Sequence, residues 1–169
     1  MCEILGGKDL VCDSVGGVKT IYGWNTADAT YTVVDGTITA FALTSGKYVH
    51  AFFVEMETAK FTATKIGDRA NQANAYEQSA TMFLAGNTST DIINLEALEI
   101  SRTTFATLLN DGTYEVYFKD NGASVSGVRD TGQAYEDANG NVLTLSGKEA
   151  NRPYKITGSL VTDLLDPVS

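Results

Sequence analysis

The residues best able to do chemistry are few and poorly grouped. Gly46-Lys47 has the ending of a phosphate-cradling loop, but Tyr48 stands where the magnesium-binding Ser or Thr belongs, and Phe41 occupies the position of the first glycine. Asp137, Asn139 and Asn141 have the spacing that opens a calcium loop, yet Val142 replaces the sharp-turn glycine and Lys148 the bidentate glutamate. The carboxylate pairs Glu55/Glu57, Glu96/Glu99 and Glu136/Asp137 would need a cleft and a defined separation to cleave a glycosidic bond, which sequence neighbours do not set. His50 is the single histidine, so a mechanism with two is excluded; its setting, Tyr48-Val49-His50-Ala51-Phe52-Phe53, reads as a strand. Cys2 and Cys12 fit no CxxC redox or zinc spacing; they read as reduced structural thiols or, in an oxidising compartment, as a bridge. Trp24 beside Asn25 could stack a sugar or anchor a core. Asn87-Thr88-Ser89 matches a glycosylation sequon and equally suits the start of a helix. No catalytic residue, metal ligand or cofactor is expected.

The composition bounds the rest. The chain has 169 residues, 12 Lys+Arg and 21 Asp+Glu, hence a net charge of −9. That length predicts one domain over residues 1–169, burying about two-thirds of its unfolded surface. With 43% hydrophobic and 20% charged residues the chain is globular. The acidic balance removes the electrostatic attraction that dominates binding to nucleic acid and to anionic membranes. No segment approaches the ~18 consecutive apolar residues of a membrane span. The opening residues lack the basic and apolar regions of a secretory signal, which predicts folding in cytoplasm.

The elements that must position these residues are mostly strands. Runs rich in Thr, Val and Tyr occupy Val18–Trp24, Tyr31–Val34, Thr37–Leu43 and Tyr48–Val54, with Asp35-Gly36 as a hairpin turn. Met56–Lys65 and Ala75–Ala85 both alternate and read as one long antiparallel pair. One face would hold Ala59, Phe61, Ala63, Tyr76, Ala80, Met82 and Leu84. The reverse face would hold Thr58, Lys60, Thr62, Thr64, Glu77, Ser79 and Thr81, with Lys60 paired to Glu77. The intervening polar loop should project. A single flanking helix is predicted from a cap in Thr88–Asp91, through Ile92, Leu95, Leu98, Phe105 and Leu109, to Asn110-Asp111-Gly112. Strands resume at Tyr114–Phe118, and Asn139-Gly140 reads as a tight hairpin turn before strand Val142–Gly147. Tyr154–Leu165 closes the chain.

The order of these features carries a resemblance. An alternating strand, Phe61-Thr62-Ala63-Thr64, precedes a polar loop from Asp68 to Asn74 and the opening Ala75-Tyr76-Glu77-Gln78 of the next strand. Leu108-Leu109-Asn110-Asp111-Gly112 is followed by an aromatic strand and Lys119-Asp120-Asn121-Gly122, then by Thr131-Gly132-Gln133-Ala134, Asp137-Ala138-Asn139-Gly140-Asn141, Leu143-Thr144-Leu145-Ser146-Gly147-Lys148-Glu149 and Tyr154. Over about Met56–Leu165, and in Cys2, Cys12 and Gly16-Gly17, the chain resembles the tail-tube family of tailed bacteriophages, in the divergent form of Bacteroidetes phages including crAss-like phages.

The resemblance implies a mainly β fold: a tail-tube-like β-sandwich or partial barrel with one flanking helix and a long β-hairpin. It implies a non-enzymatic virion structural protein, assembled in the host cytoplasm, that forms a hexameric ring of the tail tube around the DNA ejection channel. Its partners would be further copies of itself and other tail or neck proteins, with DNA passing without specific binding and no membrane involved. Thr58, Lys60, Thr62, Thr64, Glu77, Ser79 and Thr81 would line the lumen. The loop Gly67, Asp68, Arg69, Ala70, Asn71, Gln72, Ala73 and Asn74 would reach the neighbouring ring. Rival expectations are a neck or tail-adaptor ring, a capsid decoration protein, and a carbohydrate-binding β-domain using Trp24 and nearby tyrosines.

Overall fold

The computed structural model describes residues 16–55, 57–68, 74–86, 88–133, 137 and 139–167. Cys2, Cys12, Asn87, Glu136 and the loop residues Arg69, Ala70, Asn71, Gln72 and Ala73 lie outside them. The fold is mainly β, as expected. Its strands are β1 (Val18–Asn25), β2 (Ala29–Val34), β3 (Thr37–Leu43), β4 (His50–Phe53), β5 (Ala59–Lys65), β6 (Tyr76–Ala85), β7 (Thr103–Leu109), β8 (Tyr114–Tyr117), β9 (Ser124–Asp130), β10 (Gly140–Glu149) and β11 (Tyr154–Ile156). Among the described residues these are joined by two α-helices, α1 (Ser89–Ile100) and α2 (Gly158–Thr162), and a short 3-10 turn at Thr26–Asp28.

The strands form two sheets. The larger runs β2-β3-β11-β8-β7-β1-β4 and the smaller β5-β6-β10-β9. Every pairing is antiparallel except β11 with β3. Asp35 and Gly36, with φ of 49° and 76°, make the tight turn between β2 and β3. Both signs are positive, which suits the right-handed twist of the flanking strands.

One apolar cluster joins the sheets. Ile21, Phe105 and Phe118 from the larger sheet and the end of β8 meet Met82, Leu143 and Leu145 from the smaller. A second cluster covers the opposite face of the larger sheet: Tyr22, Trp24, Ile38 and Val116 pack there with Val161 of α2. β7 is therefore buried on both sides, with Phe105 in the first cluster and Ala106 in the second.

That placement corrects the helix reading. α1 stops at Ile100, Ser101 is extended (φ −83°, ψ 162°), and Phe105 and Leu109 belong to a strand. Their spacing of four is also an even number, so it satisfies the strand period as well as the helical one. Burial against both clusters then selected the strand, which suits β-branched Thr103, Thr104 and Thr107. Gly112 serves the β7–β8 turn, donating to the Leu109 carbonyl at 3.0 Å, and does not cap a helix. α1 begins where expected, with Thr88 and Asp91 forming a reciprocal capping box.

Two other turn readings change. Asn139-Gly140 is not a two-residue turn: Gly140 opens β10, opposite Asp130 on one side and Ala85 on the other. A Cβ there would run into the Leu84 carbonyl and the Phe83 ring, so the glycine serves close packing. Tyr154–Leu165 is a short strand followed by α2, so the chain has a second helix that the sequence reading lacks.

The loop after β8 is tied down at several points. Phe118 takes a positive φ of 58° while fully buried, and its amide donates to Gln78 Oε1 at 2.7 Å. Glu149 accepts from the amides of Asp120 and Asn121 at 3.2 and 3.0 Å. Burial raises the pKa of Glu149 above the ordinary glutamate value, while the two amides and the Lys119 charge pull it down. The folded chain thus holds this proton more tightly than the unfolded chain. Stability from this group is greatest below the ordinary value of 4.5 and falls as pH rises through the folded one. Glu149→Gln is expected to flatten that fall: urea-unfolding free energies at pH 4.5 and 7 should converge relative to the parent chain. An unchanged or steeper fall would contradict the assignment.

Candidate functional site

The small sheet presents an outer face of hydroxyls. The β5–β6 register sets Lys60 opposite Thr81, Thr62 opposite Ser79 and Thr64 opposite Glu77. These six predicted residues share one face, and Thr62 Oγ1 meets Ser79 Oγ at 2.8 Å. Thr58 stands just before β5 and carries the register one step further, its carbonyl accepting from the Phe83 amide at 3.3 Å. It belongs to a turn where Glu57 has φ of 65°, and its hydroxyl donates to the Glu55 carbonyl at 2.7 Å. The expected Lys60–Glu77 pairing is absent. Glu77 faces Thr64 on one side and Lys148 on the other, and none of these charges forms an ion pair among the described residues.

The face is wider than the hairpin. β10 adds Thr144, Ser146 and Lys148 beside Thr81, Ser79 and Glu77, and β9 adds Ser126 and Ser124 beyond them. Two rows cross the whole sheet: Lys60, Thr81, Thr144, Ser126, and Thr62, Ser79, Ser146, Ser124. The signal for β9 and β10 was the alternation in Leu143-Thr144-Leu145-Ser146 and Ser124-Val125-Ser126, whose apolar members are buried. At one end Val128 and Val142 are exposed, opposite Phe83. The charges on the face are Lys60 and Lys148 against Glu77 and Asp130, so the surface is neutral although the chain is acidic.

Both edges of this sheet lack a strand partner among the described residues. Because four antiparallel strands alternate in direction, β5 and β9 run oppositely. The predicted loop is described only at its base. Ile66 donates to the Ala75 carbonyl at 2.9 Å, and Asn74 reaches the Ala150 carbonyl at 3.5 Å; Gly67 and Asp68 follow β5.

Other candidates resolve into structure. Trp24 is 2% exposed, its Nε1 donates to the Tyr31 hydroxyl at 2.6 Å, and its ring tilts against Phe41 at 4.7 Å. Burial pushes that Tyr31 hydroxyl up to about 12. Trp24 therefore anchors the second core and offers no stacking platform. His50 lies on β4, 3.7 Å from Asp166. A groove of about 920 Å³ runs between β4 and α1, with Phe52, Leu84, Leu95 and Leu98 among its walls and Phe53, 80% exposed, at its rim. Among the described residues no three His, Cys, Asp or Glu side chains converge as metal ligands, and no helix is long and apolar enough to cross a membrane.

No family model, curated protein or solved structure matches this chain.

Proposed function

We propose that the chain is a virion structural protein, a tail-tube-like ring subunit whose small sheet lines the DNA channel. The observation that carries this reading is the continuous hydroxyl face on a sheet whose two oppositely running edge strands have no outer strand partner among the described residues, the Thr103–Ala123 bridge lying just before β9. A free edge is an aggregation hazard unless it is covered or paired. Head-to-tail copies related by rotation pair β5 of one with β9 of the next, and the antiparallel ladder continues without a break. Six four-stranded sheets close a barrel of 24 strands. With ~4.8 Å between strands and a tilt near 40°, its backbone diameter is roughly 45–50 Å, wide enough for duplex DNA.

The wall chemistry suits passage. A neutral hydroxyl surface offers no net cation to release counterions from phosphates, so DNA is not retained. The apolar back of the same sheet packs against the larger sheet in a sandwich-like arrangement, leaving the larger sheet and α2 on the outside of the ring. In this reading the segment between β5 and β6 makes the contact with the next ring.

Negative-stain microscopy with multi-angle light scattering tests the reading. Hexameric rings or stacked tubes are expected. A monomer that persists at the highest soluble concentration, alone and with partner tail proteins, would overturn it.

A further inference from the structure

The β9 edge is overhung by a helix whose acidic side chains Glu96 and Glu99 form no ion pair among the described residues. α1 has Asp91, Glu96 and Glu99 and no basic residue. Glu99 lies over the β9 backbone at Gly127, where any Cβ would collide with its carboxylate. Ile92, Glu96 and Glu99 form one row at helical spacing and line, with Gly127 and Leu143, a groove of about 270 Å³. Arg129 also borders this groove, but its guanidinium is directed to the carbonyls of Asp130 and Gly140 and to Asn139. Among the described residues neither Glu96 nor Glu99 forms an ion pair. The outer side of α1 is apolar, with Ile93 67% and Ile100 87% exposed. An exposed apolar stripe of this kind on a soluble chain marks a contact surface.

The opposite edge of the same sheet has the complementary chemistry. β5 carries Lys60 and Lys65 and no acidic residue between Ala59 and Lys65. Lys65 alternates with Ala59, Phe61 and Ala63 on the back face, the side on which α1 lies. Ala63 is small and exposed, so it offers room for a covering helix.

We propose that α1 of one copy roofs the β5 edge of the next, with Lys65 entering the row of Glu96 and Glu99. The inference rests on the ring reading and names the contact that would hold the ring together. Stagger decides the register. Across the flat sheet, Ala59 lies level with Gly127. A tilt of about 35–45° offsets successive four-stranded sheets by roughly four to six residues, given ~4.8 Å between strands and ~3.3 Å per residue. An offset of four brings Ala63 beside Gly127, and one of six brings Lys65 there.

Paired cysteines and a charge swap test this contact. In a Cys2→Ser, Cys12→Ser background, Thr64→Cys is combined with Ser126→Cys for an offset of four, or with Val128→Cys for an offset of six. Mild oxidation should give a ladder up to the ring size on a denaturing gel for one of the two pairs. Lys65→Glu, at an exposed position, should keep the parent circular dichroism and melting curve while weakening assembly roughly tenfold or more. Adding Glu96→Lys and Glu99→Lys to it should restore assembly. Rings that crosslink through neither pair and tolerate Lys65→Glu would overturn the contact while leaving the ring standing. A chain that never assembles would overturn both.

Discussion

Phe105→Ala is expected to lower the melting temperature by roughly 6–20 °C. Phe105 is fully buried at the junction of the two sheets, with Phe52 and Phe118 at centroid distances of 6.4 and 6.5 Å. Truncating a buried Phe costs about 3–5 kcal/mol, because the transfer free energy is lost and the cavity refills poorly. For a chain of this length each kcal/mol is worth about 2–4 °C. Gly23 supplies the control, since a Cβ there would stand 3.0 Å from Phe52 and 3.1 Å from Phe105. Gly23→Ala should therefore destabilise the parent, and cost less in the Phe105→Ala background, where one clash is removed. Calorimetry of the four chains measures the coupling. A drop below about 3 °C for Phe105→Ala, with strictly additive effects, would show that the sheets do not meet at this ring.

Gln78→Leu is the second large effect, at about 2–4 kcal/mol. Gln78 is buried on β6, accepts from the Phe118 amide at 2.7 Å and donates to the Asn151 carbonyl at 3.3 Å. Leucine fills the space and satisfies neither group: the orphaned amide of buried Phe118 costs about 1–3 kcal/mol, and the lost bond to the carbonyl of exposed Asn151 about 0.5–1.5 kcal/mol. The Phe118 amide belongs to a residue already held at positive φ, a conformation that costs a side-chain-bearing residue about 1–2 kcal/mol. The substitution should therefore loosen the loop as well as lower the melting temperature. Hydrogen exchange at Phe118, Asp120 and Asn121 should quicken before global unfolding. A melting temperature within about 2 °C of the parent, with unchanged exchange, would sink the assignment.

Legibility from sequence followed the range of the interaction. Asp35-Gly36 and strand Thr37–Leu43 were readable because turn chemistry and alternation are local. The two faces of the β5–β6 pair were readable because a period of two leaves little freedom once the partner is chosen. The Lys60–Glu77 pairing and the start of the strand were not. A turn with Glu57 at positive φ starts the strand three residues later than the alternation suggests, and register depends on where the loop closes, through Ile66 and Ala75. Phe105 and Leu109 fitted two periods at once, and only a strand on either side, β1 and β8, resolved them. Likewise Gly140 looked like turn punctuation, and its reason emerged from the Leu84 carbonyl and Phe83 ring packed on it.

The extent of the candidate face divides the same way. Local pattern was enough to show that the Thr62 and Ser79 strands would carry hydroxyls on one side and apolar groups on the other, since backbone pleating enforces that alternation. That β10 inserts between β6 and β9, so that the face spans four strands and ends in two oppositely running edges, emerges from the folded chain alone. Pairing residue 79 with 146 is a long-range choice. It is made by burying Met82, Leu143 and Leu145 against the larger sheet, a gain that no local pattern encodes.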